Sequence, residues 1–261
     1  MRRVFLAKVV SIANQKGGVG KTTTAVNLSA CVAEAGKRVL LIDLDPQGNA
    51  TSGVGVDHNR VEKSVYDVLM DEISVQDAVR PTCVKNLYVL PSNIQLAGAE
   101  IELVSALARE HIISHQLEVI KPLYDYIFID CPPSLGLLTL NAHTASDSVL
   151  VPIQCEYYAL EGLAQLMNTV RLVKKRLNPS LDIEGVVLTM LNGRTKLGVQ
   201  VVDEVKKYFA QKVYTTIIPR NVRLGEAPSF GQPINVYDGR SAGALAYKSL
   251  AGEFLKWNGG E

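Results

Sequence analysis

An α/β fold, with a doubly wound, mostly parallel β-sheet and helices on both faces, is predicted by three features of this 261-residue chain. Short β-branched and apolar runs recur along it. Longer stretches of helical pattern separate them. The short runs are apolar almost throughout rather than alternating, which marks strands covered on both faces. Strands are predicted at 9–13, 39–43, 87–90, 126–130, 148–153, 185–191 and 213–218. Helices are predicted at 21–35, 94–120, 137–145, 159–177, 199–211 and 242–254. Strands alternating with helices imply right-handed crossovers between parallel neighbours. No linker, repeat or low-complexity tract intervenes, so one domain over 1–261 is expected.

Local signals support these elements. Gly36 stands where a helix C-terminal glycine belongs, before the second strand. Ser64 and Asp67 form the spacing of a capping box, which predicts a short helix there. Asn178-Pro179 ends the helix before it. Residues 47–57 hold three glycines and polar residues, and read as a mobile loop.

With 47% hydrophobic residues the chain can bury a sizeable core, which excludes a disordered polypeptide. Its four cysteines are widely spaced, without a C-x-x-C pair, and read as reduced thiols rather than a zinc site. No run reaches the roughly 18 apolar residues of a membrane helix, and Lys8 interrupts the only signal-like stretch. A cytoplasmic protein is expected. Net charge is +1, but residues 171–223 carry 11 Lys/Arg against 4 Asp/Glu, while the rest carries 16 against 22. Such asymmetry suggests an anionic partner on one surface. A solvated helix face is the plainer explanation, since Arg171, Lys174, Lys175 and Arg176 crowd one helix.

The chemistry-bearing motif is Lys16-Gly17-Gly18-Val19-Gly20-Lys21-Thr22-Thr23, between the first strand and the first helix. Gly20-Lys21-Thr22 completes a phosphate loop, whereas Gln15 stands where that pattern's first glycine belongs. Glycines let backbone N–H groups curl around phosphates, and the helix N-terminus adds its dipole. ATP with Mg²⁺ is therefore expected: Lys21 on the β- and γ-phosphates, the Thr22 hydroxyl on the metal. Asp43 and Asp45 close the second strand at the edge where open α/β sheets bind ligands. Tyr126–Asp130 is an apolar strand ending in an acid, and Asp130 is expected to hold Mg²⁺ through water.

K-G-G-x-G-K-[ST] resembles the deviant Walker A ATPases. In that family the early lysine crosses a dimer interface to the partner's ATP, which assigns that role to Lys16. The resemblance implies that Asp45 positions the attacking water and that Asp43 supports the metal shell. Further blocks are Asp43-Leu-Asp-Pro-Gln-Gly-Asn49, Asp130-Cys-Pro-Pro-Ser134, Glu156-Tyr-Tyr-Ala-Leu-Glu-Gly162, Ile218-Pro-Arg-Asn-Val-Arg223 and Glu226-Ala-Pro-Ser229. These narrow the resemblance to the ParA/Soj partition ATPases over nearly the whole chain. It implies adenine contacts from Pro219 and Asn221, and binding of double-stranded DNA without sequence preference through Arg194 and Arg223. It also implies an ATP-dependent homodimer and slow hydrolysis, stimulated by a ParB-like centromere-binding partner.

Three alternatives bear on this reading. A MinD-type membrane ATPase needs a basic amphipathic C-terminal helix, and the tail Phe254-Leu-Lys-Trp-Asn-Gly-Gly-Glu261 is poorly suited to one. Trp257 is read as a packing residue. A nitrogenase iron-protein type needs bridging cysteines, for which Cys131 is the candidate. A nucleotide-gated binding module without hydrolysis would not need Asp45.

Overall fold

A computed structural model describes residues 6–156, 159–191 and 196–259. The chain opens with β1 (Lys8–Ile12), α1 (Lys21–Glu34), β2 (Val39–Asp43) and α2 (Asn49–Gly53). It continues through α3 (Val65–Leu69), α4 (Val75–Ala78), β3 (Arg80–Pro81), β4 (Leu87–Leu90), α5 (Leu96–Glu102) and α6 (Ile112–Glu118). Then come β5 (Tyr126–Asp130), α7 (Leu137–Ala145), β6 (Ser148–Gln154), α8 (Ala159–Arg176) and β7 (Asp182–Thr189). The last elements are α9 (Lys196–Phe209), β8 (Val213–Ile218), α10 (Val222–Glu226), α11 (Ile234–Tyr237) and α12 (Ala242–Trp257).

One eight-stranded sheet runs in the order β3-β4-β2-β5-β1-β6-β7-β8. Every pairing is parallel except the edge contact of β3 with β4. Strands β2 and β5 are buried at every residue, which is why their sequences read as unbroken apolar runs. One apolar layer lies between the sheet and α3–α9; the other lies under α1, α2 and α10–α12. The doubly wound α/β expectation is borne out. Order β5-β1-β6 puts the chain reversal at β1, so the C-terminal ends of β1, β2 and β5 open on one crevice.

Three expectations need correction. The helix expected over 94–120 is broken into α5, a 3-10 turn at Leu103–Ser105, and α6. The cause lies on α7: the Asn141 side chain donates to the Arg109 carbonyl and accepts from the Ile113 amide, at 2.7 and 3.2 Å. A distant residue thus satisfies backbone groups that a continuous helix would have paired within itself. Residues 47–57, expected as a mobile loop, contain α2, with Ala50, Thr51, Gly53 and Val54 buried. The strand expected at 185–191 is β7, which begins at Asp182 and ends at Thr189. Other signals held. Ser64 and Asp67 form the capping box of α3, and Gly36 (φ +89°) follows α1 in the left-handed region. Trp257 is a packing residue, stacked on Tyr214 with ring centroids 4.1 Å apart.

His143 on α7 gives a stability test. Its Nδ1 meets Ser11 Oγ at 3.0 Å, and its buried Nε2 has no partner. Burial pushes its pKa down to about 4. The unfolded imidazole takes its proton first, so the stability gained by keeping it neutral is full above about pH 6.5 and is lost as pH falls towards 4. Asp43, raised to about 6 by burial, acts in the opposite sense, but that contribution is common to any pair of variants compared. His143→Gln is therefore expected to be less stable than the parent at pH 7. That deficit should shrink by about 2–3 kcal/mol at pH 4.5, read from urea unfolding at both pH values.

Candidate functional site

The loop between β1 and α1 is shaped by backbone conformations that side chains resist. Gly18 and Gly20 have φ of +74° and +91°. A Cβ added at Gly17 or Gly18 would meet nothing within 4 Å, so the loop rims open space. Gly20 precedes α1 without a side-chain cap, which leaves the first helical N–H groups to an incoming anion. Two tethers hold the loop from outside the motif. Asn14 donates to the Pro152 carbonyl at 2.8 Å and accepts from the Lys16 amide at 3.0 Å. Thr189 Oγ1, ending β7, donates to the Val19 carbonyl at 2.8 Å. Sequence reading missed both: Asn14 lies outside the motif, and Thr189 is remote in sequence.

The two loop lysines are placed differently. Lys21 is 7% exposed, and its Nζ donates to the Lys16 carbonyl at 3.1 Å. Burial lowers its pKa, while Asp130 and other nearby acids pull it back up. Lys16 is half-buried, and its Nζ lies 3.4 Å from Glu156 Oε2, just beyond the end of β6. Thr23, at the start of α1, passes its carbonyl to Asn27 Nδ2 at 2.7 Å.

Asp43 and Asp130 stand side by side, in register across β2 and β5, both fully buried. Their surroundings differ. Asp43 accepts hydrogen bonds on both oxygens. Neither oxygen of Asp130 forms a hydrogen bond of good geometry. Burial, then the Asp43 charge, push the Asp130 carboxyl well above its ordinary range, and the Thr22 hydroxyl beside it acts in the opposite sense. A partnerless buried carboxylate is costly unless a cation joins it. Hard oxygens from one carboxylate and one hydroxyl beside a phosphate cradle suit Mg²⁺, which takes few protein ligands. Among the described residues no cluster of three or more His, Cys, Asp or Glu could hold a metal alone. Asp45, beyond Asp43, accepts the Gln47 amide at 3.0 Å.

Beside the phosphate loop lies a cavity of about 190 Å³. Gly20, Thr23, Met190, Pro219, Asn221 and Tyr247 are among its lining residues. Asn221 Oδ1 is buried without a partner, so the pocket offers an acceptor to a ligand's N–H. Pro219 and Asn221, nearly two hundred residues from the loop in sequence, are thus brought to its edge.

Of the expected DNA contacts, Arg194 lies outside the described residues. Arg223 is on α10, paired with Glu226 at 2.8 Å and Asp238 at 3.6 Å. Arg171, Lys174, Lys175 and Arg176 are exposed on α8, as are Lys206 and Lys207 on α9. Arg171 reaches the Tyr208 hydroxyl at 3.4 Å, so the two basic stretches occupy neighbouring helices. Cys131 is 1% exposed, and burial raises its thiol pKa, which leaves it ill placed to bridge two subunits through an iron–sulfur cluster. No helix among the described residues is long and apolar enough to cross a membrane.

Comparison with known proteins fits this geometry. A family profile described as an AAA domain matches residues 7–183. The chain is 65% identical over 248 residues to the sporulation initiation inhibitor protein Soj of Bacillus subtilis, covering 95% of this chain and 98% of that one. It is 51% identical over 251 residues to the chromosome partitioning protein ParA of Myxococcus xanthus, covering 96% and 89%. Among solved structures, cobyrinic acid a,c-diamide synthase of Mycobacterium smegmatis with bound ADP and magnesium superposes with a TM-score of 0.85. That match is 36% identical and covers 98% and 97% of the two chains. An intact deviant phosphate loop, its acid-tipped strands, and Soj and ParA relatives matched over most of both chains place this chain in the ParA/Soj family of chromosome-partitioning ATPases.

Proposed function

We propose that this chain is a DNA-partitioning switch in which Mg-ATP drives formation of a sandwich homodimer that binds double-stranded DNA without sequence preference. Slow hydrolysis, accelerated by a ParB-like centromere-binding protein, resets it. The observation that carries this reading is the division of labour between two lysines in one loop. Lys21 is buried at the start of α1, whereas Lys16 is partly exposed, with its Nζ beside Glu156 rather than on a group of the loop. A partly exposed cation at the rim of the cradle, with a partner outside the loop, suits phosphates bound by a second copy, as trans-acting arginines do elsewhere.

The remaining residues take roles that fit their places. Backbone N–H groups of Gly17, Gly18, Val19 and Gly20, with the start of α1, hold phosphate oxygens. Thr22 and Thr23 stand at the helix N-terminus. Thr22 and Asp130 hold the metal. A magnesium ion held there would supply charge neutralisation to the reacting phosphates. Asn221, with its partnerless acceptor, takes the adenine amino group against Pro219. Asp45 orients water for attack. Arg223 and Arg194 meet DNA phosphates, contacts of the kind that sequence-independent binding needs.

Lys16→Ala tests the trans role. Each of two symmetric contacts contributes on the order of 1.5 kcal/mol, so the dimer dissociation constant with a non-hydrolysable ATP analogue should rise about 100-fold. Monomer affinity for the nucleotide should stay near that of the parent. Sedimentation velocity with the analogue reads the first, and calorimetry the second. A variant that dimerised like the parent would refute the assignment.

A further inference from the structure

The two buried acids at the crevice are spent differently, and this gives Asp43 and Thr51 a role. Asp43 Oδ1 accepts the Asp45 amide at 3.1 Å. Asp43 Oδ2 accepts both the Thr51 amide and the Thr51 hydroxyl, each at 2.8 Å. The Thr51 hydroxyl oxygen in turn accepts the Ser92 amide at 2.9 Å, just beyond the end of β4. Asp43, Thr51 and Ser92 are all fully buried. The end of β2, the helix α2 and the segment after β4 are therefore closed around one carboxylate. The same side chain fixes the backbone of Asp45, whose own carboxylate folds over the Gln47 amide at 3.0 Å. On the outer side, Ser52 Oγ meets His58 Nδ1 at 2.8 Å, so α2 is held from both directions.

We infer that Asp43 and Thr51 are positioning residues, a buried clamp that sets the location of the Asp45 carboxylate relative to the phosphate loop. This rests on the reading of Asp45 as the residue that orients the attacking water. Three donors on a buried carboxylate are charge-assisted and mutually reinforcing, so the clamp is stiff. With its oxygens committed to the chain, Asp43 is poorly placed to hold metal; Asp130, with neither oxygen committed, is the acid left for that. A catalytic group displaced by about 1 Å loses up to about 100-fold in rate, so loosening the clamp should slow turnover while sparing the nucleotide cradle.

Thr51→Val keeps the shape and removes the hydroxyl, leaving the Ser92 amide unpaired. The expected result is a fall in kcat of about tenfold or more, with KM for ATP and the Kd of a fluorescent ADP analogue within about twofold of the parent. Amide hydrogen exchange should quicken at 45–52 and at Ser92. Thr51→Ser, which retains the hydroxyl, should recover most of the lost rate. Where Thr51→Val melts too low to assay, Thr51→Ala serves instead, because it also removes the hydroxyl and leaves the charge beside Asp130 unchanged; the same split and the same exchange pattern are expected. A parent-like kcat in the folded variant, an equal loss in Thr51→Ser, or unchanged exchange at 45–52 would overturn the clamp. Asp45→Ala is run alongside. Parent-like hydrolysis there refutes the reading of Asp45 itself, and the exchange data then judge the clamp separately.

Discussion

Lys21→Ala should lower the affinity for Mg-ATP by about 100-fold, measured by calorimetry, with the far-ultraviolet circular dichroism of the chain unchanged. Lys21 is nearly fully buried, and its pKa is lowered by that burial while Asp130 and other nearby acids sustain its charge. A desolvated ammonium on two phosphates forms charge-assisted hydrogen bonds of about 1.5–3 kcal/mol each, and about 3 kcal/mol in total corresponds to 100-fold. The loss has a second source. Without Lys21, the buried Asp130 carboxylate loses a neighbouring cation and disfavours an incoming polyanion more strongly. A variant that bound within threefold of the parent would show that the glycine cradle alone carries the affinity.

Asp45→Ala should separate binding from chemistry. Single-turnover hydrolysis of bound ATP is expected to fall by about 100-fold or more, the usual contribution of a positioned acid–base group. The Kd for Mg-ATP should stay within about threefold, because the Asp45 carboxylate is hydrogen-bonded to the Gln47 amide and not to the glycine loop. Loss of binding in parallel with hydrolysis would place Asp45 in the nucleotide cradle instead. Undiminished hydrolysis would favour a nucleotide-gated module that turns over by another route.

How far the sequence could be read follows from how local each device is. Strands such as 39–43 and 126–130 were legible because burial on both faces writes itself into consecutive residues. The phosphate loop was legible because its positive-φ glycines and its lysine are contiguous. Pro219 and Asn221 were reached only through family resemblance, since nothing in their own segment says that it folds back onto Gly20 and Thr23. The break in the 94–120 helix was illegible, because Asn141 supplies the competing hydrogen bonds from another helix. The same limit hid the partners of Asp43: the Thr51 hydroxyl and the Ser92 amide lie 8 and 49 positions away, and no motif marks them. The pairing of Lys16 with Glu156 was illegible too, because the two residues lie 140 positions apart in sequence.

The central claim is that nucleotide state governs DNA binding. Affinity for a random-sequence duplex should be measured with ADP, ATP and a non-hydrolysable ATP analogue, each across a salt series. The account predicts binding at least about tenfold tighter with ATP or the analogue than with ADP, and log affinity falling linearly with log salt as phosphate contacts release counterions. DNA affinity that ignored the nucleotide would contradict it.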